Sequence, residues 1–106
     1  MKNNDVILHI DTSNNKKTVV GLEINDIKKE LAKESENWTS QQLLPLIEKI
    51  LIDNKLKLSD LTGVTVHTGP GSYTGVRVGV TVANILSWYY KIPVNGRKKP
   101  AEPIYL

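Results

Sequence analysis

The sequence contains no cysteine and no phenylalanine among its 106 residues. Without cysteine, the chain has no disulfide, no thiolate ligand for a metal and no cysteine nucleophile. Without phenylalanine, the core has to rest on isoleucine, leucine, valine and the two tryptophans. No apolar run approaches the roughly 18 residues of a membrane-spanning helix, and no apolar signal segment follows the N-terminus. We therefore expect a single cytoplasmic domain with a small core.

Charge is modest and gives no strong indication of a partner. The formal net charge is +3, and the only dense basic cluster is formed by Arg97, Lys98 and Lys99. Such a cluster can contact RNA phosphates, although a solvated tail is the commoner arrangement. We expect residues 1–96 to form the folded lobe, and residues 97–106 to form a basic, proline-containing tail with little to fold against.

The alternation of apolar and polar residues predicts a β-rich first third. Residues 5–11 and residues 18–24 both alternate, which is the period-two pattern of a strand with one apolar face. Residues 27–36 fit a helix as well as a strand, but the tight turn at residues 25–26 favours a third antiparallel strand.

Two helices and two more strands are predicted to follow. Residues 39–54 read as a helix, in which Thr39 and Gln42 have the capping-box spacing and Pro45 introduces a kink. The remaining predicted elements are a strand at residues 62–68, a helix from residue 72 or 73 to residue 91, and a short strand at residues 92–94.

The order β-β-β-α-β-α-β predicts an α/β fold: a single lobe with a mixed sheet, as in ribonuclease-H-like and actin-like proteins. A parallel strand that is buried on both faces is nearly all apolar. Here the first strand carries His9 and Asp11 on one face, and the fourth carries Thr65 and His67. We therefore expect both helices to pack on the apolar face. The polar face should be open, or covered by something outside this chain.

The stretch from Gly69 to Arg77 reads G-P-G-S-Y-T-G-V-R and joins the fourth strand to the second helix. Glycines allow backbone angles that side chains forbid, and the start of a helix leaves several N–H groups unpaired. Such a loop can hold an anion, a substrate loop or the backbone of a partner. The glycine spacing does not give the dinucleotide fingerprint G-x-G-x-x-G, and no Gly-Lys-Ser/Thr follows.

Polar side chains in this region have more than one interpretation. Ser72 and Thr74 are as well placed to cap the helix as to contact a substrate. Arg77 lies in the first helical turn, where a cation opposes the helix dipole, so we expect it to face a carboxylate or an anion held by the loop. The candidate anion contacts are Asp11, Thr12, Gly69, Gly71, Ser72, Thr74, Gly75 and Arg77.

Candidate catalytic groups are few. Asp11 and Thr12 end the first strand, where actin-like ATPases place an aspartate near Mg²⁺ and phosphate, but capping of the hairpin turn is the simpler role. His9, His67 and Asp11 could share one sheet face and bind zinc, yet polar residues on an uncovered face need no such role. We assign no catalytic residue, no metal and no cofactor. A small ATPase or hydrolase that uses Asp11 and residues 69–75 is the alternative.

Both predicted helices are more apolar than a sheet-packed helix requires. A helix on a sheet needs an apolar stripe about 100–140° wide, and the second helix has no wide polar face. The two helices could bury the surplus against each other. The alternative that we favour is an interface with matching helices of another subunit. The residues predicted to form it are Leu43, Ile47, Ile50, Val78, Val82 and Ile85.

Three strings in this order and spacing resemble the TsaB (YeaZ) family of Gcp-like proteins. They are I-D-T-S at residues 10–13, S-x-x-L-L-P-L-I at residues 40–47, and the nine residues that begin at Gly69. The resemblance runs from about Val6 to Val94 and covers the first of the family's two lobes, so we expect the second lobe to be absent. The H-x-x-x-H of the metal-binding catalytic relatives is not found, and Thr39 stands where many TsaB sequences have a histidine.

The resemblance implies a function as a non-catalytic scaffold. Family members of this type support formation of threonylcarbamoyladenosine at position 37 of tRNA. They use the two helices to dimerise or to dock on the catalytic threonylcarbamoyltransferase (TsaD-like) subunit. ATP, metal and tRNA chemistry would then belong to that subunit and to an accessory ATPase (TsaE-like). The alternative is a stand-alone homodimer with a regulatory function. In either case tRNA would be contacted only indirectly, or weakly through the basic tail.

Overall fold

The computed structural model describes residues 5–14, 16–34 and 40–102. Within these residues, no helix is both long and apolar enough to cross a membrane. The strands are arranged in the order β3-β2-β1-β4; β1, β2 and β3 are antiparallel, and β4 is parallel to β1. This confirms the predicted mixed sheet. The elements are β1 (Val6–Asn14), β2 (Lys17–Ile24), β3 (Ile27–Glu34), α1 (Ser40–Asp53), a 3-10 turn (Leu58–Asp60), β4 (Gly63–Val66) and α2 (Tyr73–Tyr90).

The second hairpin follows from its two turn residues. Asn25 and Asp26 both have positive φ, at 49° and 72°, which matches the right-handed twist of paired strands. The turn sets Ile24 directly opposite Ile27, so the third strand is confirmed. The capping box predicted for Thr39 and Gln42 involves a residue outside the described part of the chain.

One face of the sheet carries the core. Side chains from β1, β2 and β4 pack there against α1 and α2, and α1 lies mainly over β2 and β3 while α2 lies over β1 and β4. Burying each aliphatic side chain is worth about 1.5–3 kcal/mol. The opposite face keeps His9 and Thr65 half-buried, so the two-layer arrangement is confirmed. The main core residues are Val6, Leu8, Ile10, Val20, Leu22, Leu43, Leu46, Ile47, Ile50, Leu51, Val64, Val66, Val76, Val80 and Ala83.

The chain after α2 differs from the prediction in two ways. The last strand shrinks to isolated bridges at Val94, which pairs with Val64 and with Arg97. The tail also folds back: the Asn84 side chain donates to the carbonyl of Ala101 at 2.9 Å and accepts from its N–H at 2.8 Å. The prediction that this segment has little to fold against is therefore wrong as far as Ala101.

Candidate functional site

The glycine corner, which we define as residues 69–75, joins β4 to α2. Gly69 precedes a cis proline and has φ of 119°. Glycine adopts this backbone angle without strain. Ser72 is the N-cap of α2, and its hydroxyl accepts a hydrogen bond from the N–H of Gly75 at 3.2 Å. Of the two roles that the sequence leaves open for Ser72, capping is the one observed, while Thr74 lies exposed in the first turn.

Glycines let α2 sit directly on the end of β1. A Cβ on Gly71 would lie 2.6 Å from the Ser13 Cβ, and one on Gly79 would lie 2.5 Å from the Thr12 Oγ1. A Cβ on Gly75 would meet the Thr12 carbonyl oxygen well under 3.0 Å. Real Cβ atoms do not approach other atoms so closely, so the contact depends on glycine at all three positions.

Hydrogen bonds lock the same contact. The Thr12 hydroxyl, fully buried, donates to the Gly75 carbonyl, and the Ser72 N–H donates to the Ser13 carbonyl at 2.7 Å. Two N–H groups that an anion in the corner could use, those of Ser72 and Gly75, are already bonded within the protein. The observed role of the corner is therefore to hold the helix against the strand.

Asp11 bonds to Ser13 in the last part of β1, where the register with β2 is irregular. One of its carboxylate oxygens, Oδ1, accepts from the Ser13 N–H at 2.9 Å and from the Ser13 hydroxyl at 2.6 Å. Local bonds of this kind are what aspartate forms in turns. Asp11 therefore bonds locally within the strand, and the hairpin turn is capped instead by Asn14, whose Oδ1 accepts from the Lys16 N–H at 2.8 Å.

Arg77 interacts with an aromatic ring. Its guanidinium donates to the Tyr73 hydroxyl at 3.0 Å, and its Cζ lies 5.2 Å from the centre of that ring. The ion pairs among the described residues do not include Arg77. The expected carboxylate partner is thus replaced, within the described chain, by a cation–π contact one helical turn away.

The two histidines do not converge on a common point. His9 sits between two neighbours on the open sheet face: Nδ1 bonds the Thr65 hydroxyl and Nε2 lies 3.0 Å from a Glu23 carboxylate oxygen. His67 bonds the Pro70 carbonyl at 3.1 Å. Among residues 5–14, 16–34 and 40–102, no three His, Asp or Glu side chains are grouped to hold a metal. The His9 contacts instead tie β4, β1 and β2 together across the face.

Half of the predicted partner interface has to be corrected. Leu43, Ile47 and Ile50 are buried in the core, because their spacing of four and three residues places them on the stripe that faces the sheet. Their side chains cannot supply an outer surface. On α2 the prediction fits better: Ile85 is 57% exposed, and Val78 and Val82 are half-buried.

The apolar surface of α1 is provided by residues that the sequence analysis did not select. Leu44 and Ile52 are exposed on the outer side of that helix. They line a groove of about 360 Å³ that also includes Leu56, Leu58 and, from α2, Leu86. On α2, Trp88 and Tyr89 are exposed as well. Both helices therefore do carry surplus apolar surface, as their composition indicates.

Comparison with known proteins gives a consistent assignment. The family model of TsaD, tRNA N6-adenosine threonylcarbamoyltransferase, matches residues 32–96. The chain is 38% identical over 95 residues to the tRNA threonylcarbamoyladenosine biosynthesis protein TsaB of Buchnera aphidicola subsp. Schizaphis graminum, covering 87% of this chain and 43% of that protein. With TsaB of Bacillus subtilis it shares 37% identity over 89 residues, covering 84% and 39%.

A solved structure has the same fold. YeaZ from Pseudomonas aeruginosa superposes with a TM-score of 0.79 at 24% identity, covering 96% of this chain and 43% of that one. The chain thus spans about two fifths of the length of the curated relatives that it matches. The chain belongs to the TsaB (YeaZ) family of Gcp-like proteins.

Proposed function

We propose that this protein acts in threonylcarbamoyladenosine modification of tRNA as a non-catalytic subunit that binds the catalytic threonylcarbamoyltransferase (TsaD-like) subunit. The binding surface is the outer face of α1 and α2, and an accessory ATPase of the TsaE type completes the system. The names of the relatives support the pathway. The observation that carries the docking role is an apolar stripe along α2.

Four residues of α2 form this stripe: Val78, Val82, Ile85 and Tyr89. At about 100° per residue, their spacing of four, three and four places them within about 60° of one another. Ile85 and Tyr89 are exposed, and the two valines are half-buried against the core. A continuous apolar stripe beside an apolar groove is typical of a surface that another helix covers.

The non-catalytic role is supported by what the candidate groups already do. The Asp11 carboxylate is engaged by Ser13, and the Thr12 hydroxyl is buried against Gly75. The Asp11 Oδ1 and the Thr12 hydroxyl are thus already occupied by bonds within the chain, and Thr12 is fully buried. Phosphate release from Mg-ATP by the chain alone, abolished by Asp11→Ala, would contradict this part of the proposal.

Binding to a purified TsaD-type subunit tests the docking role. Light scattering of each protein alone and of the mixture gives the stoichiometry and separates a homodimer from a mixed complex. We expect Ile85→Glu to weaken the mixed complex at least about tenfold, because a charge is then buried without a partner. Circular dichroism and the melting temperature should stay close to those of the wild type.

Ile27→Glu is the matched control. Ile27 is 65% exposed, against 57% for Ile85, and it lies on β3 at the edge of the sheet. The chemical change is the same, so its effect on solubility and net charge is the same too. Failure of the wild-type chain to bind the subunit, or equal effects of the two substitutions, would overturn the docking proposal.

A further inference from the structure

The second half of the chain is strongly asymmetric in charge. No aspartate or glutamate occurs between Asp60 and Glu102, whereas that stretch contains Arg77, Lys91, Arg97, Lys98 and Lys99. The cations after residue 90 follow the end of α2 closely in sequence. A local excess of positive charge of this kind attracts polyanions.

The folded-back tail forms a pocket with the end of α2, and two of these cations, Lys91 and Lys98, line it. The two ends of the tail are fixed: Arg97 exchanges backbone hydrogen bonds with Val94 at 2.9 and 3.0 Å, and Ala101 is held by the Asn84 side chain. Between these anchors, Lys98 lies across from the last turn of α2. The pocket encloses about 470 Å³, within the usual range for ligand sites.

Trp88, Lys91 and Lys98 line this pocket together with Ile92, Pro93 and Pro100. None of its lining side chains is acidic, and the ion pairs of the described residues leave both lysines out. Trp88 is 78% exposed, which is unusual for so large an aromatic side chain. An exposed indole that shares a pocket with two lysines outside these ion pairs matches the requirements of an unpaired nucleotide, which needs a ring to stack on and positive charges for its phosphate.

We propose that this pocket binds single-stranded RNA, with a base stacked on Trp88 and adjacent phosphates held by Lys91 and Lys98. The inference rests on the proposed role in tRNA modification for the identity of the RNA, which would be an unpaired segment of the tRNA substrate. The pocket is distinct from the docking stripe, because none of the four stripe residues lines it, and Trp88 lies on the Asn84 side of Ile85, about 60° further around the helix.

Lys91 alone would be weak evidence, since it occupies the C-cap of α2 with φ of 56° and a cation there also stabilises the helix dipole. No comparable capping role accounts for the position of Lys98 or for the exposure of Trp88. The combination therefore favours a ligand over helix capping.

Fluorescence anisotropy on the full chain tests the proposal, with a labelled oligouridylate about 12 nucleotides long as the probe and an RNA duplex of equal length for comparison. Titrations between about 50 and 200 mM salt give the number of phosphate contacts. We expect the single strand to bind more tightly than the duplex. Replacing both Lys91 and Lys98 by alanine should reduce the slope of log K against log salt by about 1.4.

Aromatic variants separate stacking from charge. Trp88→Ala should weaken binding about five- to 150-fold with an unchanged salt slope, and Trp88→Phe should retain most of the affinity. The matched charge control replaces Lys17 and Lys33, two exposed lysines of β2 and β3, and should leave binding unchanged.

Several results would overturn the inference: no binding of the single strand at low salt, an equal loss in the control, or an unchanged affinity in the pocket variants. Pocket variants that bind RNA normally but lose the transferase subunit would show that the pocket contacts protein instead. Because the RNA titration needs no second subunit, its failure is distinguishable from failure of the docking proposal.

Discussion

The substitution Gly75→Ala is the most direct test of how the start of α2 is held against the last part of β1. The added Cβ would lie well under 3.0 Å from the Thr12 carbonyl oxygen and 3.3 Å from the Ser72 Oγ. A carbonyl oxygen belongs to the backbone and cannot rotate away. The start of α2 would therefore have to move off β1, and the buried hydrogen bond from Thr12 to Gly75 would be strained or lost.

The expected cost combines three effects. Overpacking of this kind costs about 1–3 kcal/mol, here at the upper end because the atom in the shortest contact is a backbone carbonyl oxygen. Loss of the hydrogen bond adds about 1 kcal/mol, and the better helix propensity of alanine returns about 1 kcal/mol. We expect the free energy of unfolding to fall by about 3 kcal/mol, which lowers the melting temperature of a domain of this size by roughly 12 °C.

Urea denaturation followed by circular dichroism measures this change. Gly63→Ala is the control, because a Cβ there has its nearest neighbour at 3.8 Å, an ordinary contact. It should be neutral or stabilise the chain by up to about 1 kcal/mol through the unfolded state. The close-approach interpretation fails if Gly75→Ala is as stable as Gly63→Ala.

Three further substitutions probe the core, the strand–helix contact and the tail. Leu43→Ala should cost about 2–5 kcal/mol in urea denaturation, whereas Leu44→Ala, one residue on but exposed, should stay within about 0.5 kcal/mol; similar costs would contradict the assigned helix orientation. Gly79→Ala should clash with the Thr12 hydroxyl, so adding Thr12→Ala should make the double variant at least about 1 kcal/mol more stable than additivity predicts. Strictly additive values would exclude that contact. Asn84→Ala should cost about 1–2 kcal/mol and accelerate amide hydrogen exchange in the tail; an unchanged exchange rate would show that the side chain does not anchor it.

Much of the fold could be predicted because its signals are local. The alternation around Leu8 and Leu22 identifies both the strands and the face that they bury, and both of these side chains are fully buried. The turn residues Asn25 and Asp26 are likewise a local signal, because they predict a hairpin and therefore a third strand after it. The ends of the strands are harder to predict from the sequence. Strand β1 continues to Asn14 because Asn14 pairs with Lys17 after an irregularity in the register, and this pairing depends on the partner strand.

The predictions for the orientation of α1 and for the tail are wrong because both features depend on contacts between residues that are distant in sequence. Composition shows that α1 is apolar on more than one side, but it does not show which side meets the sheet. The sequence therefore predicts an outward-facing Leu43, although Leu44 is the exposed residue. The proline and lysine content of the tail predicts a solvated segment, because it gives no local reason to fold. Its anchor is one amide side chain, Asn84, 17 residues before Ala101.

Two of the sequence strings on which the family resemblance rests, residues 10–13 and residues 69–77, contact each other in the structure. Thr12 and Ser13 come from the end of β1, and Gly71 and Gly75 come from the corner about 60 residues later, yet they meet through backbone atoms. Such a contact fixes both the position and the direction of α2 relative to the sheet. The stripe that includes Ile85 lies on the outer side of the same rigid helix, so its orientation is set at the corner. A substitution at Gly75 that leaves the chain folded should therefore also weaken docking of the transferase subunit, although the residue lies almost three helical turns from Ile85.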